Sequence, residues 1–127
     1  MPLDDPTLIQ HITALSDQYE TALNDNDLDA LDDFFYKSDD TIRYGVGENL
    51  YGINAIRSFR ATRSGGSPPR HTIRRVIRVL SPETAIVNLE FQRLHETRIG
   101  RQSQTWINTP QGWKIIAAHV SLMSDKS

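Results

Sequence analysis

Arg43 and Tyr19 have the residue types and settings that could do chemistry. Arg43 sits within an alternating stretch, with Thr41, Arg43 and Gly45 on one side and Ile42, Tyr44 and Val46 on the other. Turned inward, it would carry a permanent cation into a low-dielectric cavity, where a substrate carboxylate could bind it bidentately. Turned outward, it would be a solvated arginine or the partner of a carboxylate in the chain. Tyr19 falls on an apolar stripe with Leu8, Ile12, Leu15, Ala22 and Leu23. It reads either as a core tyrosine with a satisfied hydroxyl or as a phenol in a cavity wall. In the wall, a neighbouring cation would favour its phenolate, and the hydroxyl could donate a proton or a hydrogen bond to a substrate nitrogen. His119 alternates with Trp113, Ile115, Ala117 and Ser121, on a face that passes from large apolar residues to polar ones. It is either structural or part of a pocket wall.

Other chemistries lack their residues. The 127-residue chain has no cysteine, which removes disulfides, thiolate metal sites and cysteine nucleophiles. His11, His71, His95 and His119 are scattered without metal-ligand spacing. There is no glycine-rich phosphate loop, no Gly-x-Ser-x-Gly elbow and no amidase-type serine/lysine signature. No cofactor or metal is therefore expected. A net charge of −2 gives no generic nucleic-acid surface. Arg57, Arg60, Arg63, Arg70, Arg74, Arg75 and Arg78 form a basic cluster in sequence but lack interleaved stacking aromatics. They are read as a solvated face balanced by the acidic first 40 residues. The acidic start, Met1 to Asp5, does not look like a signal peptide, and no apolar run approaches the roughly 20 residues of a membrane span. A cytoplasmic setting is expected.

The elements that must position these residues follow from periodicity. Residues 7–24 read as a helix capped by Thr7, and Asp27 can cap a short second helix carrying Leu28, Leu31, Phe34 and Phe35. A strand is expected at 41–46 and a short one at Leu50 and Tyr51, before a third helix. That helix carries Ile53, Ile56, Phe59 and Arg60, with Arg57 and Arg63 on its more polar side. After the turn-rich loop 64–69, four long β-like segments follow at 70–80, 85–95, 98–109 and 112–123, joined by short turns. This is an antiparallel meander. Helices first and strands later predict an α+β fold, a cone whose sheet curls around the first helix and leaves a cavity at its open end. One domain over residues 1–127 is expected. The turn Thr109-Pro110-Gln111-Gly112 allows two registers. A type I turn with a glycine bulge would place Arg101, Ser103 and Thr105 on the face of His119, and a plain two-residue hairpin would place Gln102, Gln104 and Trp106 there.

With this order of elements, the chain resembles the nuclear-transport-factor-2-like superfamily, which includes SnoaL-like and ketosteroid-isomerase-like domains. The ending Gly112-Trp113-Lys114-Ile115-Ile116-Ala117-Ala118-His119-Val120-Ser121 resembles the last strand of many members. More narrowly, Tyr19-Glu20-Thr21-Ala22-Leu23-Asn24 with Asn26-Asp27, Arg43-Tyr44-Gly45, and Gly100-Arg101-Gln102-Ser103-Gln104-Thr105-Trp106 resemble the AtzH-like family. The resemblance implies a place beside amidase-signature enzymes in the catabolism of nitrogen-rich compounds, with ureido acids as substrates. It also implies decarboxylating, amidohydrolase-like breakdown of 1,3-dicarboxyurea to allophanate. The tyrosine and arginine proposed to act there match Tyr19 and Arg43.

On this reading Arg43 holds a carboxylate, Tyr19 places or protonates the departing nitrogen, and Arg101, Ser103, His119 and Ser121 orient the rest of the ligand. The same cone could instead be a non-catalytic module that binds a ureido acid or docks on an amidase. An isomerase-like reading would need a pocket carboxylate as base, for which Glu90 is the main strand candidate. A homodimer is expected by analogy, covering Trp106, Val120 and Leu122 if these face outward.

Overall fold

Asp5 starts the first helix: its carboxylate accepts hydrogen bonds from the backbone N–H groups of Thr7 (2.9 Å) and Leu8 (3.4 Å). The sequence reading placed this cap at Thr7. Proline suits the first helical position, where its missing N–H is no loss, so Pro6 joins the helix and the cap falls one residue before it. The computed structural model describes residues 3–63 and 65–125. Met1 and Pro2 of the acidic start, Ser64 of the expected loop and the last two residues lie outside them. Helix α1 spans Pro6–Asn24 and buries Ile12, Ser16, Tyr19, Ala22 and Leu23. Asn26 then takes a left-handed conformation (φ 54°), which asparagine tolerates better than most residues. Asp27 caps α2, Leu28–Phe34, through the N–H of Ala30, as its sequence position suggested.

The remaining elements are β1 (Ile42–Tyr44), β2 (Asn49–Tyr51), α3 (Ile53–Thr62), β3 (Arg70–Ser81), β4 (Thr84–Arg93), β5 (Ile99–Thr109) and β6 (Gly112–Leu122). They match the expected order, with β1 shorter than the alternation suggested. One six-stranded sheet runs in the order β2-β1-β6-β5-β4-β3. Every pairing is antiparallel except that of β1 with β6, which is parallel. The helices cover one face, and Trp106, Phe35, Ile12, Leu31, Ile56 and Ile115 fill the space between the layers, each at most 1% exposed. Burying such side chains stabilises a fold by roughly 1.5–3 kcal/mol each.

The hairpin between β5 and β6 settles which face each residue takes. Thr109 pairs with Gly112 and Trp106 with Ile115, the register of a two-residue loop. One residue further the register shifts, so that Thr105 pairs with Ala117 and Ser103 with His119. Ile116 is the extra residue of a β-bulge. The pairing of His119 with Ser103 is the one the sequence reading favoured, but it arises in mid-strand rather than at the turn. Because the bulge inverts the alternation, Trp113 and Ile115 share the buried face with Ala118 and Val120, while His119 is exposed. The expected alternation of His119 with Trp113 and Ile115 is corrected accordingly. Trp106 and Val120, assigned to an outward apolar face, are buried at 0% and 5% exposure, so they supply no surface for a second copy. Leu122 is partly buried against a small cluster of Leu89, Phe91 and Val120.

Gly100 lies opposite Phe91 across the β4–β5 pair, and the fully buried ring covers it. A Cβ at position 100 would stand 2.2 Å from the ring. Gly100→Ala should therefore destabilise the fold by about 1–3 kcal/mol, the usual cost of overpacking. Urea denaturation checks this, and an unchanged midpoint would contradict it.

Candidate functional site

Arg43 faces inward because β1 pairs in parallel with the part of β6 beyond the bulge. Its partner there is the buried Ala118, whereas Tyr44 lies beside the exposed His119. The Arg43 side chain is only 13% exposed, and it lines a pocket together with Tyr19. Leu23, Leu31 and Phe59 form apolar parts of the wall, and Arg60, Arg63, Asn26, Gly66 and Ser67 complete its polar side. The enclosed cavity measures about 20 Å³, and the free space out through its mouth about 340 Å³. The inner part suits one small polar group. A wider groove of about 630 Å³ passes His11, Phe34, Asn108, Trp113 and Lys114, but it is more open to solvent and gathers no comparable cluster of cations.

The pocket's electrostatics centre on guanidinium groups. Arg43 Nη1 donates to Glu48 Oε2 at 3.3 Å. Burial pulls the Arg43 guanidinium below its ordinary value; Tyr19 opposes this, nearby Arg60 adds to it, and Glu48 counters it. An arginine stays charged regardless, so the shift expresses the cost of keeping this cation away from water. A bound carboxylate would offset that cost. Arg60 Nη1 donates to Asp32 Oδ1 at 2.8 Å, and its guanidinium lies 4.7 Å from the Phe35 ring centroid. Arg43 and Arg63 both lie near the Phe59 ring, at 5.9 and 5.6 Å. Tyr19 itself is held by rings, edge-on to Phe34 at 5.5 Å and tilted against Phe35 at 6.4 Å.

The other expected site residues lie elsewhere. Arg101 and Ser103 are exposed on the outer face of the sheet, paired with Ser121 and His119. They form one polar column, as their register implied, but none of the four lines the pocket of Tyr19 and Arg43. The inner positions of β5 belong to Gln102, Gln104 and Trp106. Ser103 Oγ is hydrogen-bonded to Asn88 Oδ1 at 2.6 Å, and His119 packs edge-on against Tyr44 at 5.6 Å. Glu90, the carboxylate an isomerase-like reading requires, pairs across strands with Arg74 and Arg101 on the same outer face.

Arg60 and Arg63 were assigned to a solvated basic face. The acidic balance is real and lies within the chain: Arg60 meets Asp32, Arg70 meets Glu20, Arg75 meets Asp17 and Arg78 meets Asp4. Solvation is not general, since the Arg60 and Arg70 side chains are 10% and 4% exposed. The missed signal was helical spacing: Ile53, Ile56, Arg60 and Arg63 recur every three or four residues, which extends the buried stripe into the pocket.

Comparisons with known proteins bear on the family and the fold. A family model described as AtzH-like matches residues 1–126. A protein of unknown function from the DUF3225 family of Pectobacterium atrosepticum is 44% identical, covering 96% of this chain and 95% of its own, with a TM-score of 0.90. A cystatin-like fold protein from Burkholderia xenovorans is 36% identical over 99% of both chains, with a TM-score of 0.93. A nuclear-transport-factor-2-like superfamily protein from Salmonella enterica, 20% identical over 96% of this chain and 95% of its own, shares the fold at a TM-score of 0.80. No curated protein matches.

Glu48 can reach Arg43 only because position 45 is glycine: a Cβ there would stand 1.5 Å from Glu48 Oε2. Gly45→Ala should displace the flexible carboxylate and free Arg43 for a competing anion. Acetate should then bind about 2- to 5-fold more tightly, the range a modest ion pair is worth. Calorimetric titration reads this, and unchanged or weaker binding would contradict it.

Proposed function

The chain belongs to the AtzH-like family, and on that premise we propose that it is a small enzyme acting on a carboxylated urea, of the type that converts 1,3-dicarboxyurea to allophanate. One observation carries the proposal: Tyr19 and Arg43, far apart in sequence, line the same pocket. Arg43 supplies a buried cation for a substrate carboxylate, with N–H donors beyond the one that Glu48 takes among the described residues.

The reaction asks little more of the protein. In an N-carboxyl group, a carbamate, the bond between the carboxyl carbon and nitrogen breaks. Its electrons stay on nitrogen, which takes up a proton, and CO2 departs. The Tyr19 phenol is positioned to supply that proton, to be restored from water afterwards. Arg43 holds the substrate so that the nitrogen meets Tyr19, and Leu23 and Leu31 provide apolar wall. The enclosed space is small, so a ligand held by Arg43 also occupies the open part of the pocket, whose lining includes Arg60, Arg63, Gly66 and Ser67.

The small cavity also favours a second reading, in which the chain binds a ureido acid without turning it over and serves as an accessory module of an amidase-signature enzyme. Assay of the isolated chain separates the two. For an enzyme, allophanate should accumulate from dicarboxyurea. Tyr19→Phe should lower kcat by about 10²- to 10⁴-fold, the range for loss of a general acid. Arg43→Ala should raise KM by at least about 10-fold, the loss of a charge-assisted contact. Wild-type turnover by both folded variants would sink the proposal. No turnover by the wild-type chain, together with stoichiometric capture of an amidase from native extract, would favour the accessory module.

A further inference from the structure

We infer that Arg60 is a second anion-binding group in this pocket, so that the ligand carries two carboxylates, one on Arg43 and one on Arg60. The inference rests on reading the pocket as a carboxylate site and adds the residue that selects a dianion over a monoanion.

The Arg60 side chain is nine-tenths buried, with 10% exposure. Its guanidinium is fixed on two sides, by Asp32 on Nη1 at 2.8 Å and by the Phe35 ring below its plane at 4.7 Å. The other terminal nitrogen, Nη2, is buried and has no hydrogen-bond partner among the described residues. Arg60 lines the pocket. A buried charged donor without a partner is costly, and structures normally avoid it.

Arg70 shows what a purely structural buried arginine looks like in this chain. Its Nε and Nη2 bind both oxygens of Glu20 at 3.0 and 2.8 Å, Nη2 also reaches Gln102 at 2.9 Å, and its plane lies 4.1 Å from the Phe91 centroid. Arg60 is braced in the same manner, but its buried Nη2 has no partner among the described residues, and it lines the pocket. A carboxylate oxygen would complete its hydrogen bonds and add charge attraction, whereas a water could do only the first. The surrounding field favours anions. Arg60 is close enough to depress the Arg43 guanidinium. Arg93 is pulled down first by its own burial and then by the charge of Arg63, which also lines the pocket. Asp32 and Glu48 each occupy only one nitrogen of their partner.

Malonate and acetate are the test probes, titrated into the full chain by calorimetry. The wild-type protein should bind malonate at least about 10-fold more tightly than acetate, the fold-change of one additional charge-assisted hydrogen bond. The double variant Asp32→Asn/Arg60→Gln, which leaves no bare carboxylate behind, should lose that preference and bind malonate and acetate about equally. Arg43→Gln should weaken both ligands. If the double variant fails to fold, side-chain nitrogen NMR of the wild-type chain decides: malonate, but not acetate, should shift the Arg60 guanidinium resonances. No malonate preference in the wild-type chain overturns the inference, as does a preference that survives the double substitution, equal loss of both ligands, or an unmoved Arg60 signal. Because the readout is binding, absence of dicarboxyurea turnover with the malonate preference intact would count against the enzymatic reading alone.

Discussion

A guanidinium removed from water needs a carboxylate close by, because an uncompensated buried charge costs several kcal/mol. Three buried arginines of this chain meet that need. Glu20 on α1 holds Arg70 at the start of β3, Asp32 on α2 holds Arg60 on α3, and Glu48 in the turn before β2 holds Arg43 on β1. The first two pairs join separate elements, and the third lies within the β1–β2 hairpin. The pairs differ in how completely they satisfy the arginine, and the proposed binding role falls on the less satisfied ones. Arg70 gives Nε and Nη2 to Glu20 and Gln102 and stacks on Phe91. Arg43 and Arg60 are held firmly enough to be oriented yet keep donors unused, as a binding site requires.

A single extra residue in β6 decides that these groups meet. Before Ile116 the inner face of the strand carries Trp113 and Ile115, large residues that close the core near the hairpin. After it the inner face carries Ala118 and Val120, and the small Ala118 lies beside Arg43. Without the bulge, the alternation set at the turn would bring His119 inward and send Ala118 out. β1, paired in parallel with this segment, would then have to bury Tyr44 instead of Arg43 to match it. The bulge thus joins a sealed apolar end to a polar pocket on one continuous strand.

Much of the architecture was legible from the chain. Period-3.6 stripes and period-2 runs placed the three helices and six strands in order, and the Asp27 cap was correct. Local chemistry sufficed there because each signal lies within a few residues of the element it defines. The face of His119 was not legible, since a mid-strand bulge depends on packing across three strands and leaves no glycine or proline to mark it. That error placed Arg101, Ser103, His119 and Ser121 in the pocket, when they form an outer column. Arg60 was partly legible: it was read on the apolar side of α3, and its position in the stripe of Ile53 and Ile56 outweighs its charge. The prior that arginines are exposed obscured it. Its partner Asp32 lies 28 residues earlier, a separation that sequence pattern alone does not bridge.

If the proposed decarboxylation takes place here, the shared partners also bear on what the pocket must avoid. When CO2 leaves a carbamate, a negative charge disappears from the departing carboxylate. A bare arginine gripping that group would therefore stabilise the reactant more than the transition state and slow the step. Here neither pocket arginine is bare: Glu48 lies 3.3 Å from Arg43 and Asp32 lies 2.8 Å from Arg60. Each guanidinium can orient a carboxylate through its free donors while its charge is already partly balanced. Losing the substrate's charge then leaves an internal ion pair instead of an isolated buried cation. The carboxylates that compete with the ligand in the empty pocket are, on this account, what lets the pocket hold a carbamate without trapping it.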